Sequence, residues 1–193
     1  MQPIMTGSTY YDRLFHILSL RRMCMPKGLK ATSGVLVISA DVDESAANTF
    51  TSKTVDLQLN VLDREVFVVS AIDLDVFAPD NATDKRTRSN FSISTTQRTS
   101  VGGIDQSNVL AHKFIQIQNV GDTCAVLSEY SSGDTPHAQL EYIGIIATND
   151  FYLNIEGTDN AAAIQGNCRV WGYRAQADAA TFAALTQSEL LSA

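Results

Sequence analysis

The sequence predicts an all-β chain: an antiparallel β-sandwich of eight to nine strands, preceded by an amphipathic helix and followed by a short one. Three observations carry that prediction. Apolar and polar residues alternate with a period of two through most of residues 35 to 174. Clusters of Gly, Asp, Asn, Ser and Pro interrupt the alternation at strand-length intervals. Between one strand and the next there is no stretch of helical period, so successive strands are expected to pair antiparallel and close into a sandwich or barrel.

Length and composition fit that class. A chain of 193 residues suffices for one domain with a substantial core, and a 45% hydrophobic fraction argues against disorder over most of it. No run of eighteen apolar residues is present, so no membrane-spanning helix is expected, and the first residues lack the pattern of a secretion signal. Cys24, Cys124 and Cys168 are an odd number at scattered spacings, without a Cys-x-x-Cys pair, and read as small apolar residues. Charge is uneven. Residues 1 to 30 carry +4 through Arg13, Arg21, Arg22, Lys27 and Lys30 against Asp12, whereas the rest carries −11, for a total of −7. A basic leading segment on an acidic body implies a separate partner for that segment.

The first element is a helix over residues 9 to 23. Thr9 and Asp12 stand in capping-box relation, and Tyr11, Leu14, Phe15 and Leu18 follow at the spacing of one helix face. Pro26 and Gly28 stop it, and residues 25 to 34 read as a linker, so residues 1–33 form an arm ahead of a sandwich at 34–174. Two roles for the arm stay open. Its basic residues Arg13, Arg21, Arg22, Lys27 and Lys30 could neutralise a nucleic acid, or its apolar stripe could dock on protein while the arginines keep the other face wet.

Nine strands are expected at 35–42, 50–61, 65–77, 89–97, 109–118, 123–130, 138–147, 150–156 and 166–174. The stretch from Lys53 to Phe77 organises the rest. Val55, Leu57, Leu59 and Val61 alternate with polar residues, and the apolar set then shifts to Val66, Val68, Ile72, Leu74 and Val76, so a hairpin turn is expected at residues 62–65. Phe67 and Val69 are apolar on the opposite parity, which predicts a strand covered on both faces at its start and on one at its end. The last stretch, 175–193, returns to helix composition with Asp178 as N-cap. Its large apolar residues, Phe182, Leu185, Leu190 and Leu191, sit among alanines, so this marginal helix needs a surface of its own sandwich or of a second copy.

Sites of chemistry are sparse. Gly-x-Ser-x-Gly, phosphate-loop and His-Glu-x-x-His patterns are absent, and His16, His112 and His137 do not form the His-x-His arrangement of jelly-roll metalloenzymes. Asp73, Asp75, Asp80, Asn81 and Asp84 offer several oxygen ligands in a short span that could hold calcium, but they match no EF-hand spacing and read as a solvated turn. The sequons at Asn81 and Asn90 read as chance matches. Lys85-Arg86-x-Arg88 is a compact basic cluster, read as a loop that could contact phosphate. Neither a catalytic residue, a cofactor nor a metal is expected.

A basic helical arm, a linker and an antiparallel sandwich form a layout that resembles the single jelly-roll capsid proteins of small icosahedral viruses. The runs that carry the resemblance are Leu62 to Val76, the Ser/Thr-rich Ser89 to Gly103, Tyr142 to Tyr152, and Arg169-Val-Trp-Gly-Tyr-Arg174 leading into the terminal helix. The resemblance implies a jelly-roll-like sandwich that assembles with copies of itself into an icosahedral shell, located in the virion. It implies a viral genome as a partner of the arm, subunit contacts through Tyr11, Leu14, Phe15, Leu18, Phe182, Leu185 and Leu190, and a host receptor of unknown kind. The arm is less basic than many such arms, which shifts residues 9 to 23 toward contact with protein or membrane. The alternative is a carbohydrate- or receptor-binding module of a phage tail or spike, with Tyr130, Tyr152, Trp171 and Tyr173 as its platform.

Overall fold

The computed structural model describes residues 26–121, 124–131 and 141–191. Its strands are β1 (Leu29–Ala31), β2 (Leu36–Asp43), β3 (Thr51–Asp56), β4 (Glu65–Val76), β5 (Arg86–Ser94), β6 (Val109–Val120), β7 (Cys124–Ser131), β8 (Gly144–Ile146), β9 (Asp150–Thr158) and β10 (Gln165–Ala177), followed by helix α1 (Ala179–Leu191). The expected N-terminal helix at 9–23 lies outside the described residues, as do Tyr11, Arg13, Leu14, Phe15, Leu18, Arg21 and Arg22.

Two antiparallel sheets form a sandwich. Sheet A runs β1-β10-β4-β8, with β2 following β1 along the same edge of β10, and sheet B runs β3-β9-β5-β6-β7. Their inner faces meet in one core. Phe67, Val69, Leu74, Val76, Val170 and Val42 come from sheet A, and Phe91, Ile93, Ala111, Phe151, Leu153 and Ile155 from sheet B. These side chains sit at alternate positions, as a two-sheet core requires.

β4 explains its own irregular pattern. On β10, Trp171 faces Ala71 and Gly172 faces Val69, so Ser70 is an extra residue without a partner. That bulge reverses the parity. Before it, Phe67 and Val69 point into the core while Val66 and Val68 point out; after it, Ile72, Leu74 and Val76 point in. The outer pair is covered by α1. Phe182 and Leu185 pack on a second cluster of Val66, Val68, Ala147, Tyr173, Ala175 and Ala177. Asp178 caps the helix by accepting from Thr181 N at 2.7 Å, and Gly28, at φ 85°, accepts from Asp178 N at 2.8 Å. A Cβ at Gly28 would overlap Asp178 and Thr181, so the sharp approach of β1 to the helix start depends on glycine.

Three expectations change. The hairpin at residues 62–65 is replaced by a crossing between sheets: β3 pairs with β9, and β4 pairs with β10 and β8. The parity break is real, but Leu57 and Leu59 enter the core from the connecting segment, and a 3-10 turn at Val61–Asp63 delivers the chain to sheet A. Arg174 holds the crossing by donating Nη2 to Leu57 O at 2.9 Å and pairing with Glu65 at 3.4 Å. Residues 29–31, within the expected linker, form a strand because β10 extends to Ala177 and offers them a backbone edge. Arg86 and Arg88, expected in a loop, begin β5.

Candidate interaction surfaces

Because Phe91, Ile93, Leu153 and Ile155 face the core, their neighbours Arg88, Asn90, His112, Phe114, Gln116 and Tyr130 share the outer face of sheet B. Register brings three rings together. Phe114 and Tyr130 are directly opposite each other and stack with centroids 5.9 Å apart and planes at 20°, and His112 tilts against both at 5.9 Å. The guanidinium of Arg88 lies over Phe114 at 4.2 Å from the ring centroid. Such a contact joins a cation to the negative face of the ring and holds the guanidinium plane. Arg86 stands two residues away on the same face, and Arg86, Arg88, Gln116 and Thr158 line an open depression of about 270 Å³.

Two cations, Arg86 and Arg88, stand on this face, and the charge of Asp105 reaches His112. The ion pairs among the described residues are Lys53–Asp41, Lys113–Glu129 and Arg174–Glu65, so neither Arg86 nor Arg88 has a carboxylate partner there. Burial, and then the charge of Arg86, lower the pKa of Arg88. His112 is likewise held below its ordinary value, first by burial and then by Arg88. Its Nε2 and Asn90 Oδ1 are in hydrogen-bond contact at 2.6 Å.

A second surface is β7, the edge of sheet B among the described residues. Residues 124–129 are exposed throughout, and Val126, Leu127 and the neighbouring Val120 are each more than half exposed. An apolar open strand edge is a template for pairing with another chain.

The helix holds three of the expected contact residues. Phe182 and Leu185 lie on the chain's own sandwich, whereas Leu190 is 71% exposed. Glu189 takes the buried place instead, accepting from Ala147 N and Thr148 N, both at 3.0 Å. Burial raises its pKa, and the two amides oppose that shift. Of the basic arm, Lys27, just ahead of β1, and Lys30, within it, are described and exposed. No described helix is long and apolar enough to cross a membrane.

Asp73 and Asp75 share the exposed face of sheet A with Asp41, Asn167 and Arg169. Asp80 is elsewhere in its role, with its carboxylate accepting from Ala161 N at 2.6 Å. Among the described residues no three acidic, His or Cys side chains converge as a metal site. The four aromatics expected as one platform are divided. Tyr130 and Tyr152 lie on the outer face of sheet B, Trp171 lies on sheet A, and Tyr173 is buried beneath α1. Asn90 is engaged by His112, and Asn81 Oδ1 accepts from Asn119 at 2.8 Å.

The ring ladder was missed in the sequence. Its signal was the alternation His112-x-Phe114-x-Gln116 beside the basic cluster, but only register places Tyr130 and Arg88 against Phe114.

No protein-family model matches the chain, and no curated protein matches it. Among solved structures, it is similar to the tailspike protein gp49 of Acinetobacter baumannii bacteriophage Fri1, a capsular polysaccharide depolymerase. Identity is 9% and the TM-score 0.16, over 89% of this chain and 22% of that one. The chain therefore spans about a fifth of the tailspike's length.

Proposed function

We propose that the chain is a structural subunit of a viral capsid, a jelly roll that assembles with copies of itself into a closed icosahedral shell around a genome. The observation that carries this reading is the strand order. Leaving aside β1 and the added edge strand β7, β2-β10-β4-β8 faces β3-β9-β5-β6, so the chain passes between sheets at nearly every connection and first and last strands are neighbours. Two interlocked Greek keys of this kind make the jelly roll used by capsid, lectin and cupin domains. Fold alone does not select among those uses. The exposed apolar edge at β7 favours association with other copies.

A second reading, a carbohydrate- or receptor-binding module, is favoured by Tyr130 and Tyr152 on the outer face of sheet B. Size-exclusion chromatography with negative-stain imaging of the purified chain separates the two. The capsid reading expects closed shells of uniform diameter; monomers or small oligomers under assembly conditions would favour the binding module.

A further inference from the structure

We propose that the Arg86–Arg88 end of the outer face of sheet B binds the phosphate backbone of single-stranded nucleic acid, an inference whose choice of partner rests on the capsid reading above. Arg86 and Arg88 leave one strand face from Cα atoms about 7 Å apart, and the charge of Arg86 acts on Arg88. They repel each other, and no carboxylate among the described residues relieves them, in a chain whose total charge is −7. An oxyanion bridging or flanking the pair would remove that conflict. Arg88 is prepared for it. Its Cζ is held 4.2 Å from the Phe114 ring centroid, and the same side chain lines the adjoining depression, where a guanidinium can donate to an oxyanion.

The neighbours decide the type of anion. Beside the cations, Phe114 is followed by Tyr130 on the edge strand, the exposed Gln118 supplies an amide on the same face, and the largely buried Gln116 lines the depression. Cations in line with rings and amides suit a chain of alternating phosphates and bases, in which bases stack and the backbone is neutralised. Lys85 adds a further exposed cation; the neighbouring acids are Asp84, whose Oδ1 accepts from Gly121 N at 2.7 Å, Asp159 beside Thr158, and Glu156 opposite Asn90. An acidic polysaccharide would use the cations but has no flat base to stack on Tyr130.

The test measures binding of a labelled oligothymidylate to the full chain by fluorescence anisotropy across a salt series. For R86Q/R88Q, losing two phosphate contacts should weaken binding and lower the slope of log K against log salt by about 1.4, while R86K/R88K, which keeps both charges, should retain the slope. Y130A should weaken binding about fivefold or more with the slope unchanged. Circular dichroism establishes that each variant is folded, and the lysine variant guards against misreading a folding defect. An unchanged slope in R86Q/R88Q overturns the proposal. So does a sulfated polysaccharide that binds more tightly than the oligonucleotide with the same arginine dependence. Failure of the capsid reading is seen separately: shells that form while the slope is unaffected refute the site alone, and arginine-dependent binding by a chain that never forms shells refutes the capsid reading alone.

Discussion

Replacing Phe182 with Ala should destabilise the sandwich measurably, although the residue lies in a terminal helix of thirteen residues. Phe182 is half-buried on a patch where Val66, Val68 and Ala175 are wholly inaccessible and Tyr173 is 4% exposed. Truncating a fully buried Phe costs about 3–5 kcal/mol, so a half-buried one corresponds to ~2 kcal/mol. For a chain of this size that converts to a fall in Tm of roughly 4–8 °C. Leu190→Ala is the control. At 71% exposure it should stay within about 0.5 kcal/mol of the parent chain. Thermal melting followed by circular dichroism reads both. Equal losses from the two substitutions, or a silent Phe182→Ala, would refute the docking of α1 on its own sandwich.

Three further predictions follow from the same geometry. Glu189 has a raised pKa in the fold, so the folded state holds its proton more tightly; its contribution to stability is greatest at low pH and declines as pH rises from near the ordinary 4.5 through the raised value. Tm measured against pH should show that decline in the parent chain but not in Glu189→Gln, and parallel profiles would contradict it. Gly172→Ala would drive a Cβ into the ring of Phe67 and the backbone of Val68, and should cost about 1–3 kcal/mol in urea unfolding; an unchanged midpoint would mean the two strands lie farther apart. Val126→Lys with Leu127→Lys places charges on the open edge of sheet B and should reduce self-association in sedimentation velocity without lowering Tm, whereas undiminished association would remove β7 from the contact.

Much of the fold was legible because burial on one face writes a period of two into the sequence. Nine strand segments were expected, and strands are found at eight of them within a few residues; at 138–147 the described part contains β8. The unusual start of β4 was legible too: apolar residues at both parities mean two covered faces, and the covers are the core and α1. Partners were not legible. Nothing local distinguishes a hairpin at residues 62–65 from a crossing between sheets, since both need a turn and a change of parity, and the choice is made by β9 and β10 far along the chain. The single unpaired Ser70 is likewise a product of pairing. For α1, composition indicates Phe182, Leu185 and Leu190, of which Leu190 is exposed, but not Glu189, because a buried carboxylate is explained only by the two amides it reaches. The outer face of sheet B shows the same limit: Arg88, Phe114 and Tyr130 are far apart in sequence, and register alone makes them neighbours.

Sedimentation velocity of the purified full chain over a range of concentrations tests the shell assignment most directly. Closed assemblies of fixed symmetry have one size, so the account predicts free subunit and a single fast species, with little between, the fast species rising steeply above a threshold concentration. A chain that remains monomeric or dimeric at every concentration, or that forms a continuous ladder of sizes, would contradict it.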